Sequence, residues 1–256
     1  MINSVTIVDR GHGNPIVLVP SLQGRWEYLE PAVDALTRSH RVITFSLRDE
    51  QGGLDGLVAQ VEAALDDREI TRATICGVSF GGRIALRFAA RRPERTEALV
   101  LVSAPGPGWH LRPSHRWAAR HPRLAAPAFF SIMGARLWSE LAVAIPDRRQ
   151  RRDFVMRQAR QLCRAPLSPT RMAARAALID GLDIADECAA VSTPTLIISG
   201  EAHLDHVVPA GGAADFARLI PGSRSVTLAH TGHLGCITRP QAFAEIVDAF
   251  LAALGA

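Results

Sequence analysis

The chain has 256 residues, 48% of them hydrophobic and 21% charged, with 20 Gly, 16 Pro and a formal net charge of +4. That profile excludes a disordered, collagen-like or coiled-coil chain. It suits one large domain, or a core domain carrying an insertion, that needs no disulfide or metal staple. Every basic residue is Arg, and acidic and basic residues alternate along most of the chain. The one dense cluster, Arg148-Arg149-Gln150-Arg151-Arg152, reads as a solvated helix face, so no nucleic-acid partner is expected. No apolar run reaches the roughly 18–20 residues of a membrane span, and no signal-peptide pattern opens the chain. The cysteines Cys76, Cys163, Cys188 and Cys236 form no CxxC pair, which points to free thiols and a cytoplasmic setting.

In chain order, SVTIVD alternates apolar and polar residues, as a strand does. PIVLVP is a short continuous β-branched run, the pattern of a strand buried on both faces. A helix is expected around 26–37, a strand at RVITFSL, and a helix over LDGLVAQVEAALDD. RATICGV follows as a strand, SFGGRIALRFAARRP as a helix ending before Pro93, and EALVLVSA as a strand. This alternation predicts an α/β fold with a mainly parallel sheet flanked by helices.

The rhythm stops over residues 106–190, which hold no convincing strand and are punctuated by prolines. Several short helices are expected there, one of them capped by Ser168 with Pro169 at its first position. The α/β pattern resumes with PTLIISG, a helix near 210–219, the strand SRSVTLA and a final amphipathic helix, PQAFAEIVDAFLAAL.

The most informative segment is Gly77-Val78-Ser79-Phe80-Gly81-Gly82, a Gly-x-Ser-x-Gly pattern between a strand and a helix. A serine that presents its Oγ above a sheet sits on a sharp, strained turn, where side chains at the flanking positions would strike backbone. The helix that follows offers backbone N–H groups and a positive dipole end to an oxyanion. A dinucleotide-binding turn would space its glycines differently.

On these residues, on the strand order around them and on the lid-sized insertion, the chain resembles the α/β-hydrolase superfamily. The resemblance covers nearly its whole length. It implies a core of residues 1–105 and 191–256 with an all-helical lid at 106–190, and a Ser, acid, His order for the catalytic groups. Ser79 is then the nucleophile. Asp205, in GEAHLDHVVP four residues before Pro209, is the acid, with Glu201 the competing carboxylate. His233, directly after Gly232, is the base, with His230 the competing histidine. The oxyanion donors are the backbone N–H groups of Phe80 and, in VPSLQGRW, Leu22. That loop departs from the family, because Pro20-Ser21 stands where a His-Gly pair is usual. Ser21 and Gln23 are candidates for an added side-chain contact.

Ser21, Trp109 and Trp138 are the expected pocket residues, while the other lid aromatics (Trp117, Phe129, Phe130 and Phe154) mostly pack the lid. Among lid arginines, Arg112, Arg116, Arg120, Arg136, Arg171 and Arg175 are candidates to clamp a substrate carboxylate, with solvated surface the default for each. His203, Asp205 and His206 form a cluster, but no further ligands stand at metal-site spacing, so no metal and no cofactor are expected. Cys76 reads as a small buried hydrophobe, and Cys236 as a neighbour of the pocket without a nucleophilic role.

The resemblance implies a serine hydrolase of small carboxylic esters or lactones that works through an acyl-enzyme as a monomer or homodimer. A carbon–carbon bond hydrolase or lyase on the same groups, or a non-catalytic small-molecule receptor, are the alternatives. A serine nucleophile disfavours the dehalogenase and epoxide hydrolase branches, which use Asp.

Overall fold

A computed structural model describes residues 7–48, 52–208 and 211–255. Residues 4–6 of the expected first strand, Pro209, and Ala210 at the start of an expected helix lie outside these. Seven strands form one sheet: β1 (Ile7–Arg10), β2 (Pro15–Val19), β3 (Arg41–Phe45), β4 (Ala73–Val78), β5 (Thr96–Val102), β6 (Thr195–Ser199) and β7 (Arg224–Thr227). The spatial order is β1-β3-β2-β4-β5-β6-β7. Only β1 runs antiparallel to its neighbour; the other pairs are parallel. The order reverses direction at β2 and β4, so the ends of these two strands flank the crevice where open α/β sheets bind ligands.

The core helices are α1 (Glu30–Leu36), α2 (Gly53–Asp67) and α3 (Phe80–Arg91). The insertion follows, with α4 (Pro113–Arg120), α5 (Pro122–Ala144), α6 (Arg148–Arg164), α7 (Pro169–Leu178) and α8 (Ala185–Ala190). The chain closes with α9 (Gly211–Leu219), α10 (Gly235–Thr238) and α11 (Pro240–Ala252). Alternate residues of each central strand feed opposite faces of the sheet. Val17, Ile75, Leu99 and Ile197 pack with α2, α3 and α9. Leu18, Cys76, Val100 and Ile198 pack with α1 and α11. Both faces are covered, which is why these strands read as largely apolar runs.

The expected helix at 26–37 divides into a 3₁₀ turn, Trp26–Leu29, and α1. Between β5 and β6 the described elements are the helices α4–α8, and they are not all short. α5 runs for 23 residues with Pro127 inside it. Pro127 stands in the second turn, so it deprives the helix of a single N–H bond near its start. Packing against α4 and α7 offsets that loss. α8 packs on α3 and buries Cys188 completely, so the end of the insertion rests on the core. No helix among the described residues is long and apolar enough to cross a membrane.

Candidate active site

Ser79 links β4 to α3 with φ 53° and ψ −119°, a strained conformation for a residue with a side chain. Its N–H donates to Val102 O at 2.8 Å. The glycines around it are required by contact. A Cβ on Gly77 would lie 2.3 Å from Gly81 O, one on Gly81 2.5 Å from both Val19 O and Pro20 O, and one on Gly82 2.5 Å from Ala104 Cβ. The start of α3 is thus pressed against the end of β2, which brings the Pro20–Gly24 loop beside the serine. Phe80 opens α3, where the first N–H groups of a helix have no intrahelical acceptor.

Ser79 Oγ lies 3.0 Å from His233 Nε2, across 154 residues of chain. His233 Nδ1 lies 3.3 Å from Asp205 Oδ2. The other oxygen, Asp205 Oδ1, accepts from the N–H groups of Val207 and Val208, both at 2.9 Å. All three side chains are largely shielded from solvent. Backbone-to-backbone contact brings the last two loops together. A Cβ on Gly232 would fall 2.3 Å from Leu204 O, and one on Gly200 2.2 Å from Gly232 O. Only glycine allows the histidine loop to lie on the aspartate loop this closely.

Burial pushes the Asp205 carboxyl up, but the hydrogen bond and charge of His233, with the two N–H donors, outweigh it and hold the group below its ordinary value. Asp205 is therefore ionised at neutral pH. The arrangement can pass the Ser79 proton to Nε2 while Nδ1–H stays bonded to a carboxylate.

The competing residues face elsewhere. Glu201 accepts from His230 N at 2.7 Å and lies 3.6 Å from His203. His230 is exposed and has a left-handed backbone, with φ 60°. His206 bonds to Ser139 Oγ at 3.2 Å, so His203, Asp205 and His206 each have a different partner. No group of three potential ligands converges among the described residues. Cys236 is buried; its thiol is pushed up to about 12, by burial first and by the Glu140 charge second.

The helices of the insertion line a partly open cavity of about 140 Å³. α4 contributes Ala118 and Ala119, α5 contributes Phe129 and Met133, and α7 contributes Met172 and Ala173. Its core-side wall is Leu22, His206 and Val207, from the loops that adjoin Ser79 and Asp205. Trp109 lines it. Ser21 does not; its hydroxyl is bonded to Gln23 Oε1 instead. Trp138 does not either. It is 53% exposed on the outer side of α5, where Arg151 stands over its ring at 5.7 Å. The lining has no Arg or acid, and its two titratable groups are histidines. Burial, with the Arg112 and Arg136 charges, holds His115 below its usual range, so it is neutral at neutral pH.

Two buried charged residues of the insertion reach the site, and neither role was legible beforehand. Arg175, on α7, donates to Leu22 O at 3.1 Å and Leu47 O at 3.0 Å, fastening the loop beside the serine. Glu140, on α5, is completely buried and accepts from His233 N at 2.9 Å and Leu234 N at 2.6 Å. Glu140 is the only acidic residue in α5.

A family model described as alpha/beta hydrolase fold matches residues 14–240. The pimeloyl-[acyl-carrier protein] methyl ester esterase of Nitrosomonas europaea is 26% identical, over 96% of this chain and 99% of that protein. The 2-hydroxy-6-oxo-2,4-heptadienoate hydrolase of Pseudomonas putida is 29% identical, over 96% of this chain and 91% of that protein. In fold, the chain is similar to the enol-lactonase of Burkholderia xenovorans. The TM-score is 0.78, with 24% identity, over 97% of this chain and 96% of that one.

Proposed function

The chain belongs to the alpha/beta hydrolase family, and on that basis we propose that it is a serine hydrolase of uncharged carboxylic esters or lactones. The observation that carries this reading is the hydrogen-bonded line Ser79 Oγ–His233 Nε2, His233 Nδ1–Asp205 Oδ2. Ser79 Oγ attacks the carbonyl carbon while His233 Nε2 takes its proton. The N–H groups of Phe80 and Leu22 hold the oxyanion. On collapse, the carbon–oxygen bond to the alcohol breaks and His233 returns the proton to that oxygen. Water then attacks the acyl-enzyme, again losing a proton to His233. The carboxylic acid leaves and the serine hydroxyl is restored. A lactone passes through the same steps and opens to a hydroxy acid.

The cavity supports the substrate class. Its wall is apolar and carries no cation. Burying a carboxylate there without a partner would cost several kcal/mol. That disfavours an anionic substrate like the dienoate named for the Pseudomonas putida relative, and with it carbon–carbon cleavage of such a compound. Neither Ser79 nor His233 lines the cavity, so a chain lodged in it meets Oγ past Leu22 and Val207.

A fluorophosphonate probe tests the reading. Mass spectrometry should find the adduct on Ser79 and lose it in Ser79→Ala, with p-nitrophenyl ester turnover lost in parallel. Folded wild-type protein that takes no label would favour a non-catalytic receptor.

A further inference from the structure

We infer that Glu140 is a positioning residue for His233, supplied by the helical insertion, and that the seating of α5 is thereby a condition for an assembled active site. The inference rests on the Ser79–His233–Asp205 reading above.

The loop that carries His233 runs between β7 and α10 and is held from two sides. On the core side, Glu201 accepts from His230 N, and Glu201 N donates to Thr231 O at 2.7 Å. On the insertion side, the Glu140 carboxylate takes both His233 N and Leu234 N, one on each oxygen. Two adjacent peptide planes are therefore fixed by one rigid group, and the first of them belongs to the histidine. Hydrogen bonds to an ionised acceptor are the strong kind. Without Glu140, two part-buried N–H groups lose their acceptor, and the His233 ring keeps only its Asp205 contact to aim Nε2 at Ser79.

The same helix walls the cavity. Met133 lies on α5 seven residues before Glu140, which is two turns and about 10 Å along one face. A chain packed against Phe129 and Met133 therefore bears on the face that ends at the histidine loop. Binding energy from the non-reacting part of a substrate can in this way be spent on aligning the base.

The charge is informative too. Burial pushes the Glu140 carboxyl up; the backbone N–H groups of Leu234 and Gly232 and the His233 charge pull it down, and the nearby Asp205 charge adds to the upward push. The net direction is up, so the ionised form costs stability as pH rises above the ordinary glutamate value. A residue that served packing alone would do so better without its charge. The titratable and charged groups that interact with Glu140 and His233 are Ser79, Asp205 and, on α10, Cys236.

The experiment compares Glu140→Gln and Glu140→Asp with wild type and His233→Ala. It reads kcat and KM for a p-nitrophenyl ester from about pH 5 to 9, the rate of Ser79 labelling by the fluorophosphonate, and Tm. In Glu140→Gln, kcat and the labelling rate should fall about 10- to 100-fold, the scale of a misplacement near 1 Å. KM should change less than about threefold, and Tm should stay within about 3 °C. The acid limb of the profile should move to lower pH, because one of the two carboxylates facing the imidazole has been neutralised. Glu140→Asp keeps the charge, so it should leave that limb in place and recover part of kcat. Wild-type kcat with an unmoved limb in Glu140→Gln overturns the inference, and so does an effect confined to KM. If Glu140→Gln does not fold, Glu140→Asp decides: its carboxylate is too short to hold both N–H groups, and unchanged kcat overturns the inference. Failure of the wild type to label at Ser79 would instead strike the serine-hydrolase reading.

Discussion

Gly81→Ala is a one-carbon change that separates catalytic geometry from helix propensity. The new Cβ would sit 2.5 Å from both Val19 O and Pro20 O. An ordinary carbon–oxygen contact is about 3.3 Å, so the start of α3 and the end of β2 must part by about 0.8 Å. Both obstacles are backbone, so no side-chain rotation relieves them. The movement separates Phe80 from the loop of Leu22, the two proposed oxyanion donors. A displacement of that size can cost about 100-fold in rate. Overpacking costs about 1–3 kcal/mol in stability. Helix propensity works the other way, since Ala is favoured over Gly by about 1 kcal/mol inside a helix. Net destabilisation should therefore be slight, about 0–2 kcal/mol, while kcat falls about 100-fold. Ester hydrolysis with a chromogenic substrate, paired with urea unfolding, measures both. Wild-type kcat in a folded Gly81→Ala protein would refute the claim that contact between α3 and β2 builds the oxyanion site.

Three other outcomes follow from the same geometry. Asp205→Asn removes the acceptor that holds the His233 tautomer, and kcat should drop by about ten-thousand-fold while the protein stays folded; a loss under tenfold would argue for another acid. Because Asp205 is held below its ordinary value, its contribution to stability is complete above about pH 4 and disappears as pH falls through the folded-state value. Acid unfolding curves of wild type and Asp205→Asn should converge below that range, and parallel curves would contradict the assignment. In the cavity, each added acyl methylene should be worth about 0.8 kcal/mol, close to fourfold in kcat/KM, until the space is full. Ala126→Phe should abolish that gain for longer esters and leave acetate esters little changed; an unaltered chain-length series would remove the cavity from the substrate path.

The sheet and the nucleophile were legible in the sequence because local chemistry dictates them. A strand covered on both faces must be largely apolar: β2 is so throughout, and β4 and β5 are apart from Thr74, Thr96 and Glu97. A serine on a strand-to-helix turn needs glycines where backbone passes within contact distance, and Gly77, Gly81 and Gly82 meet that need. The Gly232-His233 pair had a reason that only coordinates supply, namely the Leu204 carbonyl lying against the glycine. The insertion was the opposite case. Leu124, Ile132 and Trp138 are exposed on α5 while Ala125 and Leu141 are buried, so apolar residues ring the helix and periodicity does not say which side turns inward. Trp138 accordingly stands away from the cavity lined by α4, α5 and α7.

The residues alone determined the alternation of strands and helices and marked the Gly-x-Ser-x-Gly turn, since apolar periodicity and turn chemistry are set by neighbours within a few positions in the chain. Tertiary packing alone decided that Glu140 would reach His233 across 93 residues and Arg175 would reach Leu22 across 153. Such contacts depend on how a whole helix is rotated and seated on the core, and no local pattern carries that information.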